Sequence, residues 1–150
     1  MKEVHVLLDN IRSAFNTGSI FRTSETAGIF MLHLCGITPY PPHLKLEKTA
    51  LGTIDYVKWD YSKSSIEKVK ELKEQGIKII SVEIAPNAYN YSDFCYPDKF
   101  CLVMGHELMG VSDEILQISD AVVQIPLRGV KNSLNVAVSY GIVVYQSMLE

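Results

Sequence analysis

Residues 125 to 139 read IPLRGVKNSLNVAVS and join the end of a predicted strand to the start of the last predicted helix. Polar groups cluster in the second half of this stretch. Asn132 or Ser133 is a candidate helix cap there, because the first N–H groups of a helix lack partners inside it. Asn135 lies between two apolar residues at the head of the helix, where an amide needs hydrogen-bond partners. The stretch therefore combines a helix start with polar groups suited to a functional site.

The helix that follows, Ser133–Leu149, carries apolar residues on every side. A helix of this kind must be covered on more than one face. In a chain of 150 residues the sheet covers one side, so a second copy of the chain is the expected cover for the other. The pattern therefore predicts a homodimer that forms through the last helix.

Upstream of this helix, short apolar runs alternate with helical patterns. The runs predicted as strands are Val4–Leu8, Ile29–Cys35, Tyr56–Trp59, Ile77–Val82, Phe100–Met104 and Ala121–Ile125. The other predicted helices are Ser19–Ala27, Leu46–Leu51, Ser65–Gln75 (with a capping box from Ser64 and Glu67) and Asp113–Ile118 (capped by Ser112). This alternation predicts an α/β fold with a mainly parallel sheet and helices on both faces.

Composition limits the number of domains and the kinds of partner. With 47% hydrophobic residues, the chain is expected to form a single domain over residues 1–150, without terminal extensions. The net charge of −3 excludes a basic field over the whole surface, so a nucleic acid would have to be held by a local patch. No apolar run is long enough for a signal peptide or a membrane span, which predicts a cytoplasmic protein without a membrane partner.

The three cysteines, Cys35, Cys95 and Cys101, lie in or beside apolar runs and are predicted to be buried, reduced thiols. A metal site that joined Cys95 and Cys101 to His106 would need a fourth ligand. The spacing of these residues also matches no paired-cysteine zinc pattern. We therefore predict no metal.

A second polar stretch, FNTGSIFRTSETAG at Phe15–Gly28, marks the change from a loop to a helix. Asn16 or Thr17 is a candidate cap of that helix. The same free N–H groups and the helix dipole also attract phosphate, so a nucleotide or anion site is the second interpretation. The stretch by itself leaves the role of Arg22 open.

Local motifs exclude several common chemistries. The chain contains no G-x-G-x-x-G, and the glycines of Gly105–Gly110 lack the lysine of a phosphate-binding P-loop. Acyl transfer by Ser133 would need a histidine base, and His106 has no evident orienting acid other than the adjacent Glu107. A nucleotide-dependent oxidoreductase is therefore disfavoured, and local patterns alone leave the reaction undecided.

Three segments together resemble the signature motifs of the SpoU, or TrmH-like, branch of the SPOUT RNA methyltransferases. They are NTGSIFRTSETAG (Asn16–Gly28), LVMGHELMG (Leu102–Gly110) and IPLRGVKNSLNVAVS (Ile125–Ser139), in the family's order and spacing. KTALGT at Lys48–Thr53 also resembles a family segment. Two positions depart from the pattern, since His106 stands where Asn, Pro or Ser is more frequent and Ala137 where Ser is usual.

The resemblance implies a SPOUT fold with a deep C-terminal trefoil knot, a dimer formed through the terminal helix, and S-adenosyl-L-methionine (S-adenosylmethionine) bent against the knotted loops. The residues implied to contact this cofactor are Val82, Glu83, Met104, Gly105, Ile125, Leu127, Ser133, Leu134 and Asn135. In such a dimer the segment that carries Arg22 would approach the cofactor pocket of its own subunit or of the partner.

The implied reaction is methyl transfer to a ribose 2′-hydroxyl of RNA. Arg22 matches the family's proposed base, but a guanidinium rarely releases its proton, so a bidentate phosphate clamp is the alternative. Asn16 would orient Arg22 or the phosphate, and Glu107 would hold Arg22 or a pocket loop. Ser133 and Asn135 would complete the catalytic set. The residues that would bind RNA are Arg12, Arg22, Arg128 and Lys131.

The resemblance also bears on the RNA substrate. Family members reduced to the knotted domain resemble enzymes that modify the wobble ribose, and a short loop suits a chain of net charge −3. We therefore expect tRNA, in its anticodon loop, rather than rRNA. The alternative from another class is a non-catalytic module that binds S-adenosylmethionine or RNA. That alternative predicts damaged motifs, whereas Asn16, Arg22, Glu107, Ser133 and Asn135 are all present.

Overall fold

A parallel sheet forms the centre of the molecule in the computed structural model, which describes residues 1–149. Its strands are β1 (Glu3–Asp9), β2 (Met31–Cys35), β3 (Trp59–Ser62), β4 (Lys78–Val82), β5 (Tyr89–Asn90), β6 (Lys99–Gly105) and β7 (Ala121–Gln124). They lie in the order β3-β2-β1-β6-β4-β7-β5, and every neighbouring pair is parallel. The predicted α/β fold with a parallel sheet is confirmed.

Helices cover both faces of this sheet. They are α1 (Ala14–Ala27), α2 (Leu44–Ala50), α3 (Ser65–Glu74), α4 (Asp113–Ile118) and α5 (Val136–Ser147), with a short 3₁₀ helix at Ile54–Tyr56. Successive side chains of a strand point to opposite faces. Val6 and Leu8 of β1 therefore belong to the core that includes α1, α2 and α5, whereas Leu7 between them belongs to the core that includes α3 and α4.

The third strand begins later than its sequence predicts. The predicted strand Tyr56–Trp59 is wrong, because the N–H groups of Tyr56 and Val57 donate back to the carbonyls of Thr53 and Ile54 and close a 3₁₀ turn. The strand begins only at Trp59. The two-residue strand β5 is not among the predicted strands.

Several helix caps also differ from the expectation. Helix α1 begins at Ala14 rather than Ser19, and its cap is Ser13, whose hydroxyl accepts from the Asn16 N–H at 3.1 Å. Ser64 caps α3 as predicted, by accepting from the Glu67 N–H. Ser112 precedes α4, but its hydroxyl makes no capping hydrogen bond.

The three cysteines do not share one environment. Cys35 and Cys101 are buried, but Cys95 is exposed, so the prediction that all three are buried is wrong. Cys95 lies in the loop between β5 and β6, outside both hydrophobic cores. Over residues 1–149, no helix has the length and apolar character of a membrane span.

Candidate active site

A cavity of about 560 Å³ opens at the carboxyl ends of β4, β6 and β7. Most residues predicted to contact the cofactor line it, namely Val82, Glu83, Met104, Gly105, Ile125, Leu127, Ser133 and Leu134. Asn135 was predicted with them but is not part of the lining. The size and the mixture of apolar side chains with polar groups suit a small organic ligand.

Two glycines allow the loop after β6 to form one wall of this cavity. A Cβ atom on Gly105 would overlap the backbone of Gly110, and a Cβ atom on Gly110 would overlap the carboxylate of Glu83. Gly110 also has a φ of +72°, in the region that favours glycine. The Glu83 carboxylate accepts the Val111 N–H at 2.8 Å. These contacts fix the loop against the end of β4.

His106 holds the tip of the same loop. Its Nδ1 accepts the N–H groups of Leu108 and Met109 at 3.0 and 3.1 Å, so this ring nitrogen carries no proton in that arrangement. His106 and Gly110 also form a bridge through two backbone hydrogen bonds. The side chains of Leu108 and Met109 are left 82% exposed.

A hydrogen-bonded row joins the three motif segments beside the cavity. The Asn16 amide donates to Oε2 of Glu107 at 3.0 Å, and the Asn135 amide donates to Oδ1 of Asn16 at 3.2 Å. Oδ1 of Asn135 accepts the N–H groups of Ala137 and Val138 at 2.9 and 3.2 Å. Asn135 is therefore the cap of α5, in place of the predicted Asn132 or Ser133. The predicted partners of Asn135 exist, and they belong to α1 and α5.

Glu107 anchors the beginning of α1. Its Oε1 accepts the Arg12 N–H at 2.8 Å and its Oε2 accepts the Ser13 N–H at 2.9 Å. Partial burial raises the pKa of this carboxyl, but the hydrogen bonds from Arg12, Asn16 and Ser13 outweigh burial and leave the pKa below its ordinary value. Of the two predicted roles of Glu107, these hydrogen bonds fit that of holding a loop, and Glu107 forms no hydrogen bond or salt bridge with Arg22.

Arg22 lies away from this network. Its side chain is exposed, and among residues 1–149 it makes no side-chain hydrogen bond or salt bridge and lines none of the cavities at the site. Arg22 follows Asn16 by six residues, which places it about 120° around the helix from the face that meets Glu107. Within one chain, the structure therefore separates Arg22 from the other predicted catalytic residues.

The remaining predicted site residues are exposed around the cavity. Arg12 lines a second cavity next to the first, and Lys131 lines a smaller recess of about 380 Å³ that continues from Ile125 and Leu127. Arg128 is exposed on the connection between β7 and α5. Over residues 1–149, no group of His, Cys, Asp and Glu side chains is arranged to hold a metal ion.

Sequence reasoning missed some residues of this region. Ser13 escaped notice because the helix was predicted to begin only at Ser19, directly after Gly18, whereas α1 begins at Ala14. His43 and Lys45, which line the second cavity, belong to no sequence motif identified above, and Phe15, which lines it too, begins the second polar stretch but was given no role. The sequence carries no signal for them, because what marks this region is the exposure of Phe15 and Leu44 at the starts of two helices, which only the structure shows.

Known proteins share both the sequence pattern and the fold. The sequence profile of the SpoU rRNA Methylase family matches residues 3–145. A tRNA (guanosine(18)-2′-O)-methyltransferase of Aquifex aeolicus is 30% identical over 146 residues, which are 97% of this chain and 69% of the relative. The Escherichia coli K12 enzyme of the same name is 26% identical, over 97% of this chain and 62% of its own length.

Among solved structures, the AdoMet-bound rRNA methyltransferase of Sinorhizobium meliloti matches with a TM-score of 0.90 at 25% identity. The match covers 99% of this chain and 57% of that one. The present chain thus spans less than two thirds of both the S. meliloti and the E. coli proteins. The profile match nevertheless covers all three motif segments and the strands that carry them, so the chain belongs to the SpoU rRNA methylase family.

Proposed function

We propose that this chain is an S-adenosylmethionine-dependent RNA methyltransferase that methylates a ribose 2′-hydroxyl of tRNA. The observation that carries the proposal is the row Glu107–Asn16–Asn135, which ties the three family motifs together beside a cavity at the strand ends. Membership of the SpoU family supports the reaction class. A non-catalytic module has no evident need for such a network.

The cavity suits the cofactor. Ile125, Leu127 and Leu134 supply apolar surface for an adenine ring, and Leu134 is 41% exposed and open to contact. The close approach of Gly105 and Gly110 brings backbone groups to the wall, where hydrogen bonds can read a base edge. When bound, S-adenosylmethionine supplies a methyl group already activated on a sulfonium. The protein must therefore align the acceptor oxygen and exclude other nucleophiles.

Cofactor binding is tested by calorimetry on the wild type and on Leu134→Asp. The new carboxylate would replace apolar wall surface, so we expect affinity for S-adenosylmethionine to fall at least about 10-fold, in line with loss of a well-packed apolar contact. Val130→Asp is the matched control, because Val130 is 98% exposed and outside the cavity. Absence of binding heat with both S-adenosylmethionine and its demethylated product would contradict the cofactor assignment.

Arg22 is proposed to act on the RNA side as a phosphate clamp that positions the ribose. Its exposure and its lack of side-chain partners among residues 1–149 leave the guanidinium available for a bidentate contact. Because Arg22 lies away from the cavity of its own chain, we propose that it serves the cavity of the partner in a homodimer. The proposal predicts that Arg22→Ala abolishes most methyl transfer while cofactor affinity stays nearly unchanged.

The apolar surface of α5 supports this dimer. Val138, Ile142 and Tyr145 are 52%, 37% and 51% exposed, and they recur at helical spacing along one side of α5. The opposite side packs on the core, with Tyr140 and Val143 fully buried. A second α5 of the same kind would cover the exposed stripe.

We further propose that the C-terminal chain forms the trefoil knot of the family. Strand β7 lies beyond β4 and β6, whereas α5 packs on α1, where the Tyr140 hydroxyl is 2.7 Å from Ser24 Oγ. The connection between β7 and α5 must therefore return across the carboxyl ends of β4 and β6. An experimental structure in which residues 125–149 pass outside every loop would contradict the knot.

The tRNA substrate is supported by the names of the curated relatives, which act on guanosine 18 of tRNA. An anticodon-loop ribose, expected from the sequence, and a ribose at position 18 are both exposed loop targets of the kind that RNA-binding proteins read. The test is mass spectrometry of nucleosides from tRNA and rRNA of a deletion strain, followed by mapping of the lost 2′-O-methyl group. Loss from tRNA that a plasmid copy restores supports the proposal, and loss only from rRNA overturns it.

A further inference from the structure

A second cavity of about 710 Å³ lies between the starts of α1 and α2 and the loop after β6. Its lining includes Phe15, His43, Leu44 and Lys45, none of which has been given a role above. It shares three consecutive residues, 106 to 108, with the cavity at the strand ends. The two cavities therefore meet at one short segment of chain, the segment that carries Glu107.

Apolar side chains are exposed around this cavity. Phe15, Leu44 and Leu108 are 47%, 75% and 82% exposed. Large apolar groups that are exposed together in a concave region usually mark a binding surface. The backbone under Phe15 is fixed, because its carbonyl accepts the Thr49 hydroxyl at 2.8 Å and Gly18 packs closely against α2. The aromatic ring is thus carried by a rigid part of the fold.

The charge of the lining favours an anionic ligand. Arg12 and Lys45 lie at the cavity, and among residues 1–149 neither forms a salt bridge. The one carboxylate of the lining, Glu107, is already occupied by the N–H groups of Arg12 and Ser13 and by the Asn16 amide. An exposed aromatic ring beside unpaired cations is the combination that binds single-stranded nucleic acid, through base stacking and phosphate contacts.

We propose that this second cavity binds one nucleotide of the RNA substrate, with its base stacked on Phe15 and its phosphate near Lys45 and Arg12. The inference rests on the proposed function and adds a base-binding subsite to it. Since the cavity meets the cofactor cavity at residues 106–108, its occupant is the target nucleotide or its immediate neighbour in the chain. Phe15 and Lys45 are then positioning residues for the RNA.

The test compares variants that differ in one property each. Phe15→Leu keeps apolar bulk and removes the aromatic face, whereas Phe15→Tyr keeps the face. Lys45→Ala removes one cation, and Lys48→Ala is its matched control, because Lys48 is exposed on the same helix outside the cavity. The probes are a tRNA transcript and a short single-stranded oligoribonucleotide, with affinity measured at several salt concentrations and S-adenosylmethionine affinity measured in parallel.

Loss of base stacking should weaken RNA affinity by about 5-fold to 100-fold in Phe15→Leu, and Phe15→Tyr should restore it. Lys45→Ala should reduce the magnitude of the slope of log affinity against log salt concentration. The reduction should correspond to the loss of about one phosphate contact. Lys48→Ala should change neither quantity, and S-adenosylmethionine affinity should be equal in all variants.

The inference is overturned if Phe15→Leu and Lys45→Ala bind RNA like the wild type, or if Lys48→Ala has the same effect as Lys45→Ala. A loss of RNA affinity that is matched by a loss of cofactor affinity would indicate a structural role for Phe15 and would also overturn it. Failure of the proposed function is distinguishable, because the wild type itself would then neither bind S-adenosylmethionine nor transfer a methyl group.

Discussion

At the scale of single residues, the site depends on side chains that both donate and accept. Asn16 donates to Glu107 and accepts from Asn135, so one amide links the loop after β6 to the start of α5. Neither a carboxylate nor an ammonium group at position 16 has both functions. Sequence reasoning required partners for Asn135, yet a partner 119 positions away cannot be read from local patterns.

Glu107 gives this network a pH dependence. Its pKa in the folded protein is below the ordinary value of 4.5, so its carboxylate stabilises the fold above that pH. That contribution should be lost as the pH falls through the folded-state pKa. In Glu107→Gln, denaturant unfolding between about pH 3 and pH 7 should show a weaker loss of stability in acid than in the wild type. The other carboxyl groups contribute equally to the stability of both proteins. The difference between the two pH profiles therefore measures the contribution of Glu107.

The matched control is Glu114→Gln, since Glu114 is exposed in the first turn of α4 and outside the site. Its acid profile should follow the wild type. If Glu107→Gln also follows the wild type across the whole range, the hydrogen bonds to Arg12, Ser13 and Asn16 do not hold the carboxylate in solution.

At the scale of elements, the sequence predicts the central buried strands and the starts of α3 and α4, but not the start of α1. The apolar runs that became β1, β4 and β6 are buried on both faces, and their composition alone marks them. Helix α1 was predicted too short because Gly18 is a poor helix former in isolation. In the fold Gly18 is required, since it lets α1 approach α2, a contact between segments that are distant in sequence.

Gly18→Ala should therefore destabilise the protein, although alanine favours helices. The new Cβ would overlap the Leu46 carbonyl and the Thr49 hydroxyl, and overpacking of this kind costs about 1–3 kcal/mol of unfolding free energy. Gly129→Ala is the control, because a Cβ there meets nothing within 4 Å, and its effect should stay within about 0.5 kcal/mol. Denaturant unfolding measures both, and equal stability of Gly18→Ala and the wild type would mean that α1 and α2 lie further apart.

At the scale of the whole molecule, α5 has two apolar faces with different neighbours. The sequence correctly indicated apolar residues all round, but it did not distinguish the face that packs on the sheet from the face left for a partner. Val143 and Tyr145 are both apolar residues of this helix, yet Val143 is fully buried within the chain, whereas Tyr145 is 51% exposed. The distinction depends on the direction from which α1 and the sheet cover the helix.

Charged substitutions on the two faces of α5 should therefore have different effects, one on the oligomeric state and the other on the stability of the fold. Tyr145→Glu should leave the chain folded and convert a dimer to a monomer, because it places a charge in the proposed interface. Val143→Asp should instead lower the melting temperature sharply, since it buries an unpaired charge in the core. Sedimentation velocity at micromolar concentration and thermal unfolding separate the outcomes. A wild type that sediments as a monomer would contradict the dimer.

The assembly also predicts complementation between two inactive variants. If Arg22 serves the partner's cavity, a chain with Arg22→Ala keeps an intact cofactor cavity. A chain with Leu134→Asp keeps an intact Arg22. A mixed dimer then contains one complete site. With random association half of the dimers are mixed, so the mixture should regain about a quarter of wild-type sites.

The measurement is methyl transfer to tRNA after the two variants have been co-expressed with different tags. Arg22→Ala paired with the double variant Arg22→Ala, Leu134→Asp is the control, because no arrangement of those chains contains an arginine at position 22. Recovery only in the first pair would place Arg22 at the cavity across the interface. The absence of recovery, with mixed dimers present by tag capture, would place Arg22 at its own cavity. The separation of about 120° around the axis of α1 between Arg22 and Asn16 would then have to be closed by a rearrangement of α1 when RNA binds.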